Sequence, residues 1–587
     1  MSDLPKQLLT AIQLQQRGQL EEAASYYINF LKAEPDHADA NHLLGLVLHQ
    51  QGDDVAALIM IEKAIKQRSD IAIYHANRGR ILKACGKRSE AALAFASALR
   101  KQPADPEILS DLAGTILELG CADKALMFVI RALEHDPDLA SGHYNYGLVL
   151  KAKKQRQAAK AAFEKCIELA PNFVGALFEL GLLFQMEGQT EYAEFYYRQV
   201  LSIDPKVFEA HVNLGNILRG RYELEESVVH YRAALAIEPN VAATQGNLGV
   251  ALQELGEPEA ALVAYDLSLA LDPENAEVQR NRSQVLLQMG CYLEGWEGFE
   301  WRWRTEHFKA IRREWSCPQW NGERDKNASI LLHAEQGFGD TIQFSRYISQ
   351  VAERIGRVLV ECPSTLKSLI ANCSGIDEVI VTGRSLPHFD FHIPMMSLPG
   401  VFKTEIETIP REFPYMFVTE NLRKKWANRI EGKGVLKVGL VWKGSHKHQR
   451  NAWRSPGLAA LEPLFDIDGI QWVSLQKEDE KRDLRDSAIV SRINPLGAQF
   501  QNFDDTAAVI THLDLVISPD TAVAHLAGAL NKPVWIILPH VAEWRWLMDR
   551  VDSPWYPTMR LFRQHVRRDW STTVSNIAHN LELLVQS

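Results

Sequence analysis

The sequence predicts two architectures in series: a solenoid of α-helical hairpins, then an α/β domain of two halves built on parallel strands. Three observations predict it. Small residues return every 34 positions over roughly the first 309 residues. Beyond that point, short apolar runs alternate with helical patterns. Two of those runs, in ILLHAEQGFGDTIQFSRY (330–347) and LVISPDTAVAHLAGALNKPVWIILP (515–539), stop at a tight polar loop that opens a helix.

Composition bounds the reading. The chain has 587 residues, 46% hydrophobic and 24% charged, an ordinary globular balance that predicts three or four domain-sized units. Its formal net charge is −10 and no long basic run occurs, so nucleic acid is not an expected partner. No stretch approaches about 18 consecutive apolar residues, and no membrane span is expected. The opening MSDLPKQLLTAIQLQQRGQLEEAA lacks the charged-then-apolar design of a signal peptide. Seven cysteines (85, 121, 166, 291, 317, 362, 373) are scattered and never spaced CxxC. They predict a reduced, cytoplasmic setting with neither disulfide framework nor zinc site.

The repeat has three small-residue rows. One is Ala11, Gly45, Gly79, Ala113, Gly147, Gly181, Gly215, Gly249 and Ser283. A glycine row at 18, 52, 86, 120, 188, 256 and 290 is broken by Lys154 and Tyr222, and a third row begins at Ala23. Prolines at 35, 103, 137, 171, 205, 239 and 273 close the units, with Ser69 as the one substitute. Small residues in both helices let backbones approach, glycine suits the turn between them, and proline stops the second helix. The pattern resembles the tetratricopeptide repeat, in nine copies from residue 4, the last degenerate. The resemblance implies a superhelix whose concave face binds extended protein segments.

A further row stands two positions before the small residue of the first helix: Asn77, Asn145, Asn213, Asn247 and Asn281, interrupted by Asp111 and Glu179. A carboxamide offers a donor and an acceptor, so a ladder of them pairs with a peptide backbone whatever its side chains. The repeat superhelix of O-GlcNAc transferases is similar in this respect. Local helix contacts are the alternative use of the same amides.

The last repeat decays into GWEGFEWRWRTEHF (295–308), whose aromatics are expected to cap the repeats and dock them onto the α/β domain. Expected strands then fall at 329–335, 357–362, 377–382 and 390–395, and again at 436–442, 470–475, 513–518 and 532–538. They divide the chain into repeats over 1–309, an N-terminal half over 310–425 and a C-terminal half over 426–587. The expected fold class is thus an α-solenoid of tetratricopeptide repeats followed by an α/β GT-B domain of two Rossmann-like halves. Fold alone does not give function.

The motifs carry the functional argument. In LVISPDTAVAHLAGALNKPVWIILP, backbone N–H groups and the Thr521 hydroxyl at a helix start suit a phosphate or diphosphate. The same residues would also serve as a plain helix cap. The stretch resembles the heptosyltransferase-like family of GT-B enzymes, whose D-T-[GA]-x-x-H element holds the nucleotide sugar. Asp520, Thr521, Ala522 and His525 match that element. In that family a Gly-Asp at the first strand–loop–helix carries the catalytic base, and Gly339–Asp340 occupies its place. A sugar-accepting hydroxyl is a poor nucleophile, and a carboxylate aimed into the cleft takes its proton. Gly337 and Gly339 allow close approach to the backbone, and Glu335 and Gln336 are candidates for acceptor or sugar contacts.

The family's loop after the first strand of the C-terminal half carries a cation for the donor phosphate. Here VGLVWKGSHKHQRNAWRSPGL (438–458) offers Lys443, Arg450 and Arg454, all of them candidates. Gln476, ending the next strand, is placed for base or ribose. The segment 540–564, dense in aromatics and arginines, reads as a cleft wall or as packing between the halves. Asp466–Ile467–Asp468 imitates a DxD metal motif but precedes a strand instead of ending one, and reads as a turn. No metal or cofactor is expected; the nucleotide sugar is a substrate.

The strings EQGFGDTIQF, EWRW and SPWYPTMRLFRQ are similar to a bacterial group that fuses tetratricopeptide repeats to a heptosyltransferase-like domain. Some of that group resemble flagellin glycosyltransferases, which use CMP-nonulosonates. The resemblance implies a cytoplasmic, metal-independent protein O-glycosyltransferase whose repeats grip the acceptor, with flagellin as the specific expectation. An NDP-sugar donor, a lipid or polysaccharide acceptor, and a non-catalytic scaffold remain as alternatives.

Overall fold

A computed structural model of the chain describes residues 6–430, 435–445, 451–485 and 489–586. They form two compact units, Met1–Tyr222 and Glu223–Ser587.

The first unit is helical throughout, its helices packed in consecutive pairs such as Ala38–Gln50 with Asp54–Gln67 and Ala140–Ala152 with Arg156–Leu169. The small-residue rows have the expected steric cause. A β-carbon on Gly79 would stand 2.8 Å from the Phe95 ring, and one on Gly147 would stand 2.5 Å from the Phe163 ring. Each glycine therefore seats an aromatic ring of the partner helix. The turn between paired helices demands a left-handed residue. Lys154 (φ 61°) and Tyr222 (φ 65°) adopt it where the glycine row breaks. Asp53 and Asp105 cap second and first helices by accepting from Ala56 N and Ile108 N, each at 3.0 Å.

The second unit opens with five further repeat helices, from Leu224–Ile237 to Tyr292–Phe299. Among the described residues, ten strands come after them: β1 (Asp325–His333), β2 (Ile355–Cys362), β3 (Glu378–Val381), β4 (Phe391–Pro394), β5 (Leu436–Leu440), β6 (Ile470–Ser474), β7 (Ile493–Pro495), β8 (Leu515–Pro519), β9 (Val534–Leu538) and β10 (Met559–Arg563). They make two wholly parallel sheets, ordered β3-β2-β1-β4 and β10-β9-β8-β5-β6-β7. The eight expected runs all fall on strands. The sequence pattern omits β7 and β10, which lie at the two edges of the larger sheet. β7 has three residues, and the apolar run of β10 is broken by Arg560 and Arg563.

The decayed last repeat docks as expected. Trp296 is buried, donates from Nε1 to Thr404 O at 3.0 Å and meets Trp544 edge-on at 5.2 Å. Arg302 is fully buried and bonds both Glu335 oxygens, at 3.0 and 3.1 Å. One apolar core runs from these residues through the first sheet to Trp546 and Trp555. Among the described residues, no helix is long and apolar enough to cross a membrane.

Candidate active site

In parallel sheets, ligand loops gather at the carboxyl ends of the strands. The loop after β1 carries Glu335 to Asp340, that after β8 carries Asp520 to His525, that after β5 carries Lys443, and β6 is followed by Gln476. Two of these loops meet. A β-carbon on Gly339 would lie 2.9 Å from His525 Cδ2 and 3.6 Å from Ala522 Cα, so only glycine lets the two helix starts abut.

Asp340 opens the helix Phe338–Phe344. Its Oδ2 accepts from Gly337 N at 2.8 Å, and its Oδ1 pairs with Arg545 Nη2 from the other half. Gly337 is the N-cap residue, and Gln336 is exposed at the loop surface. Glu335 lies deeper, its side chain 3% exposed against Arg302. Burial pushes its carboxyl up to about 7, with Arg302 opposing.

On the opposing loop, Thr521 stands at the N-cap position of the helix Ala522–Ala529 without a side-chain capping bond, and its Oγ1 lies 2.8 Å from Ser518 Oγ. His525 Nε2 stands 3.6 Å from Asp520 Oδ1. Its Nδ1 is 2.8 Å from the Tyr556 hydroxyl, and its ring stacks on Trp546 at 5.5 Å. Burial holds the Tyr556 phenol well above its ordinary range. Burial alone would raise the Asp520 carboxyl. The bond from His525 and the charges of Arg454 and Arg545 outweigh it and hold Asp520 well below the usual carboxylate range.

The three candidate cations part company. Arg454 Nη2 donates to Asp520 O, and its buried Nε finds no partner among the described residues. Lys443 is neutralised by Asp479 and Asp483, at 3.1 and 2.5 Å. Arg450 lies outside the described residues. Gln476 is buried; its Oε1 accepts from Trp442 N and Lys443 N, and its Nε2 donates to Glu478 O. It thereby ties the loop after β5 to the end of β6. Asp466 ends a short 3-10 turn and accepts from Arg492 at 2.8 Å. Among the described residues, no group of three or more His, Cys, Asp or Glu stands together to hold a metal.

The asparagine row makes contacts between helices. Asn77 Nδ2 lies 2.9 Å from His42 Nε2, and Asn145 Nδ2 donates to Ser110 O and Oγ at 3.0 and 2.8 Å. Asn213 Nδ2 donates to the Tyr197 hydroxyl at 3.3 Å. Asn247 and Asn281 are half-buried in the second unit.

The sequence motifs do not single out Arg545, Gln343 or Tyr556. Arg545 is 6% exposed and reaches Gln343 Oε1 from Nε at 2.6 Å and Glu543 Oε2 from Nη1 at 2.5 Å, beside its pair with Asp340. The density of arginine and tryptophan over 540–564 is the available signal. Trp544, Trp546 and Trp555 are buried and pack the halves, while Arg545 crosses to Asp340 of the N-terminal half.

Comparison with known proteins finds two kinds of match. Residues 8–71, 140–173, 174–207 and 242–275 match the tetratricopeptide repeat. Residues 490–537 match glycosyltransferase family 9 (heptosyltransferase), a span that includes Asp520 to His525. The chain is 24% identical over 319 residues to Protein FlbA of Caulobacter vibrioides, covering 50% of this chain and 53% of that protein. It therefore spans about half the length of that relative. Similar solved structures include the APC/C hetero-tetramer Cut9–Hcn1 (17% identity, TM-score 0.39, 48% of this chain and 55% of that one). Others are YrrB, a TPR protein with an unusual peptide-binding site (24%, 0.29, 32% and 96%), and Pseudomonas aeruginosa pilF (20%, 0.32, 35% and 95%). The chain thus carries spans similar to the tetratricopeptide repeat and, further on, a span similar to glycosyltransferase family 9.

Proposed function

We propose that the chain is a protein O-glycosyltransferase that moves a sugar from a nucleotide-sugar donor to a Ser or Thr hydroxyl of a protein held by the repeats. The observation that carries this reading is the abutment of Gly339–Asp340 with Ala522–His525 across the two halves. On this reading Asp340 is the base and the start of the helix Ala522–Ala529 beside it takes the donor phosphate. Asp340 takes the proton of the acceptor hydroxyl as its oxygen bonds to the anomeric carbon. The bond from that carbon to the donor phosphate breaks, and the electron pair leaves with the nucleotide. Thr521, the N–H groups of the helix Ala522–Ala529 and Arg454 stabilise the departing charge. Arg545, which pairs with Asp340 in the structure, turns to the incoming donor phosphate and frees the carboxylate for its proton.

Flagellin is the proposed acceptor, and a CMP-nonulosonate the proposed donor, on the resemblance drawn from the EQGFGDTIQF, EWRW and SPWYPTMRLFRQ strings. The test is intact-mass measurement of flagellin from cells carrying the native chain or Asp340→Asn. The sugar's mass increment is expected to vanish in the variant. Unchanged modification there would leave Asp340 without a catalytic role and favour a scaffold.

A further inference from the structure

The segment that carries Arg545 into the cleft has a second neighbourhood. His540 and Val541 at its start and Met548 to Arg550 at its end line a cavity of about 530 Å³, closed by β10, the C-terminal helix and two repeat helices. That volume falls within the range of small-molecule sites. Its chemistry is cationic. Arg560 donates to Asn580 Oδ1 at 2.6 Å, and Arg563 donates to the carbonyls of Trp546 and Leu547 at 3.2 and 3.0 Å. Among the described residues, neither arginine has a carboxylate at ion-pair distance. Burial pulls the Arg563 guanidinium below its ordinary pKa, with only the charge of Asp549 opposing. Gln564 is 3% exposed; its Oε1 accepts from His540 N, and its buried Nε2 has no partner among the described residues.

We infer that this cavity is a second ligand site, for a small molecule bearing a phosphate group, and that its occupancy is transmitted to the cleft. Two guanidiniums beyond ion-pair distance of any described carboxylate, against the single carboxylate of Asp549 on the lining, and an unpartnered amide donor call for a ligand rich in anionic oxygens. The transmission path is short. Arg563 holds the carbonyl of Leu547, a non-glycine residue at φ 49°, and that of Trp546, which stacks on His525. Such backbone persists only where its surroundings hold it. An anion on Arg563 competes for the N–H groups that do so, and Arg545 lies one residue before Trp546.

The binding half of this inference is independent of the transferase reading. The test titrates inorganic pyrophosphate into the full chain by calorimetry, with hydrogen exchange read over residues 543–547. Arg560→Gln, at an exposed position, and Arg563→Gln are each expected to weaken binding at least 10-fold. Arg454→Gln, in the cleft, is expected to leave this binding and the exchange response in place. Undetectable binding, or loss in Arg454→Gln with Arg560→Gln unaffected, would overturn the site, as would loss in all three variants or in none. Binding with unchanged exchange over 543–547 would overturn the transmission.

Discussion

Arg545 of the C-terminal half and Asp340 of the N-terminal half form an ion pair across the cleft, with side chains 7% and 19% exposed. The same guanidinium serves Gln343 and Glu543 from its two other edges. A planar fork with fixed donor directions is therefore in use, and lysine cannot reproduce it.

Arg545→Lys is expected to be nearly as damaging as Arg545→Gln. Both should lose most transferase activity, and Arg545→Gln should destabilise the α/β region by about 3–5 kcal/mol, the range for removing one partner of a buried pair. Steady-state kinetics and denaturant unfolding of the two variants check this. A lysine variant with native activity would show that charge alone matters there.

Gly339→Ala tests the abutment of the two helix starts. The added carbon would stand 2.9 Å from a ring held by Tyr556 and Trp546, so the halves must part or the histidine must turn. Overpacking of this kind costs about 1–3 kcal/mol. The expected result is a fall in kcat/KM of at least 10-fold with unit 1 unaffected in hydrogen exchange.

Glu335 makes stability depend on pH. Burial raises its carboxyl from 4.5 to about 7, so the folded chain keeps a proton that the unfolded chain has lost between those values. This contribution is therefore fully present below about 4.5 and is lost as pH rises towards about 7. Glu335→Gln removes the titration, and the decline in Tm of the α/β region over that interval should flatten. An unchanged slope would assign the decline to other groups.

Lys154→Gly is expected to stabilise the first unit. Lysine there is held at φ 61°, where a side chain crowds its own backbone and glycine does not. A gain of about 0.5–1 kcal/mol in urea unfolding, with no change in cleft chemistry, is the expected outcome.

Much of the fold was legible because its signals are local. A turn needing a left-handed residue, a helix needing a small face and a parallel strand needing an apolar run each leave a mark within a few residues. The conformation even outlasts its usual residue, at Lys154 and Tyr222. β7 and β10 escaped because a three-residue strand and one interrupted by two arginines leave weak marks.

By itself, then, the sequence determined the repeats, eight of the ten strands among the described residues and the two loops that confront each other. Only the tertiary structure decided which charges remain available to a ligand. Lys443 is answered by Asp479 and Asp483, whereas Arg454 sits on the turn at Asp520. Glu335 is claimed by Arg302, 33 residues before it, and Asp340 meets an arginine 205 residues away. The reason is physical: periodicity and turn chemistry act between neighbours along the chain, while burial and charge pairing are fixed only when distant segments close on one another.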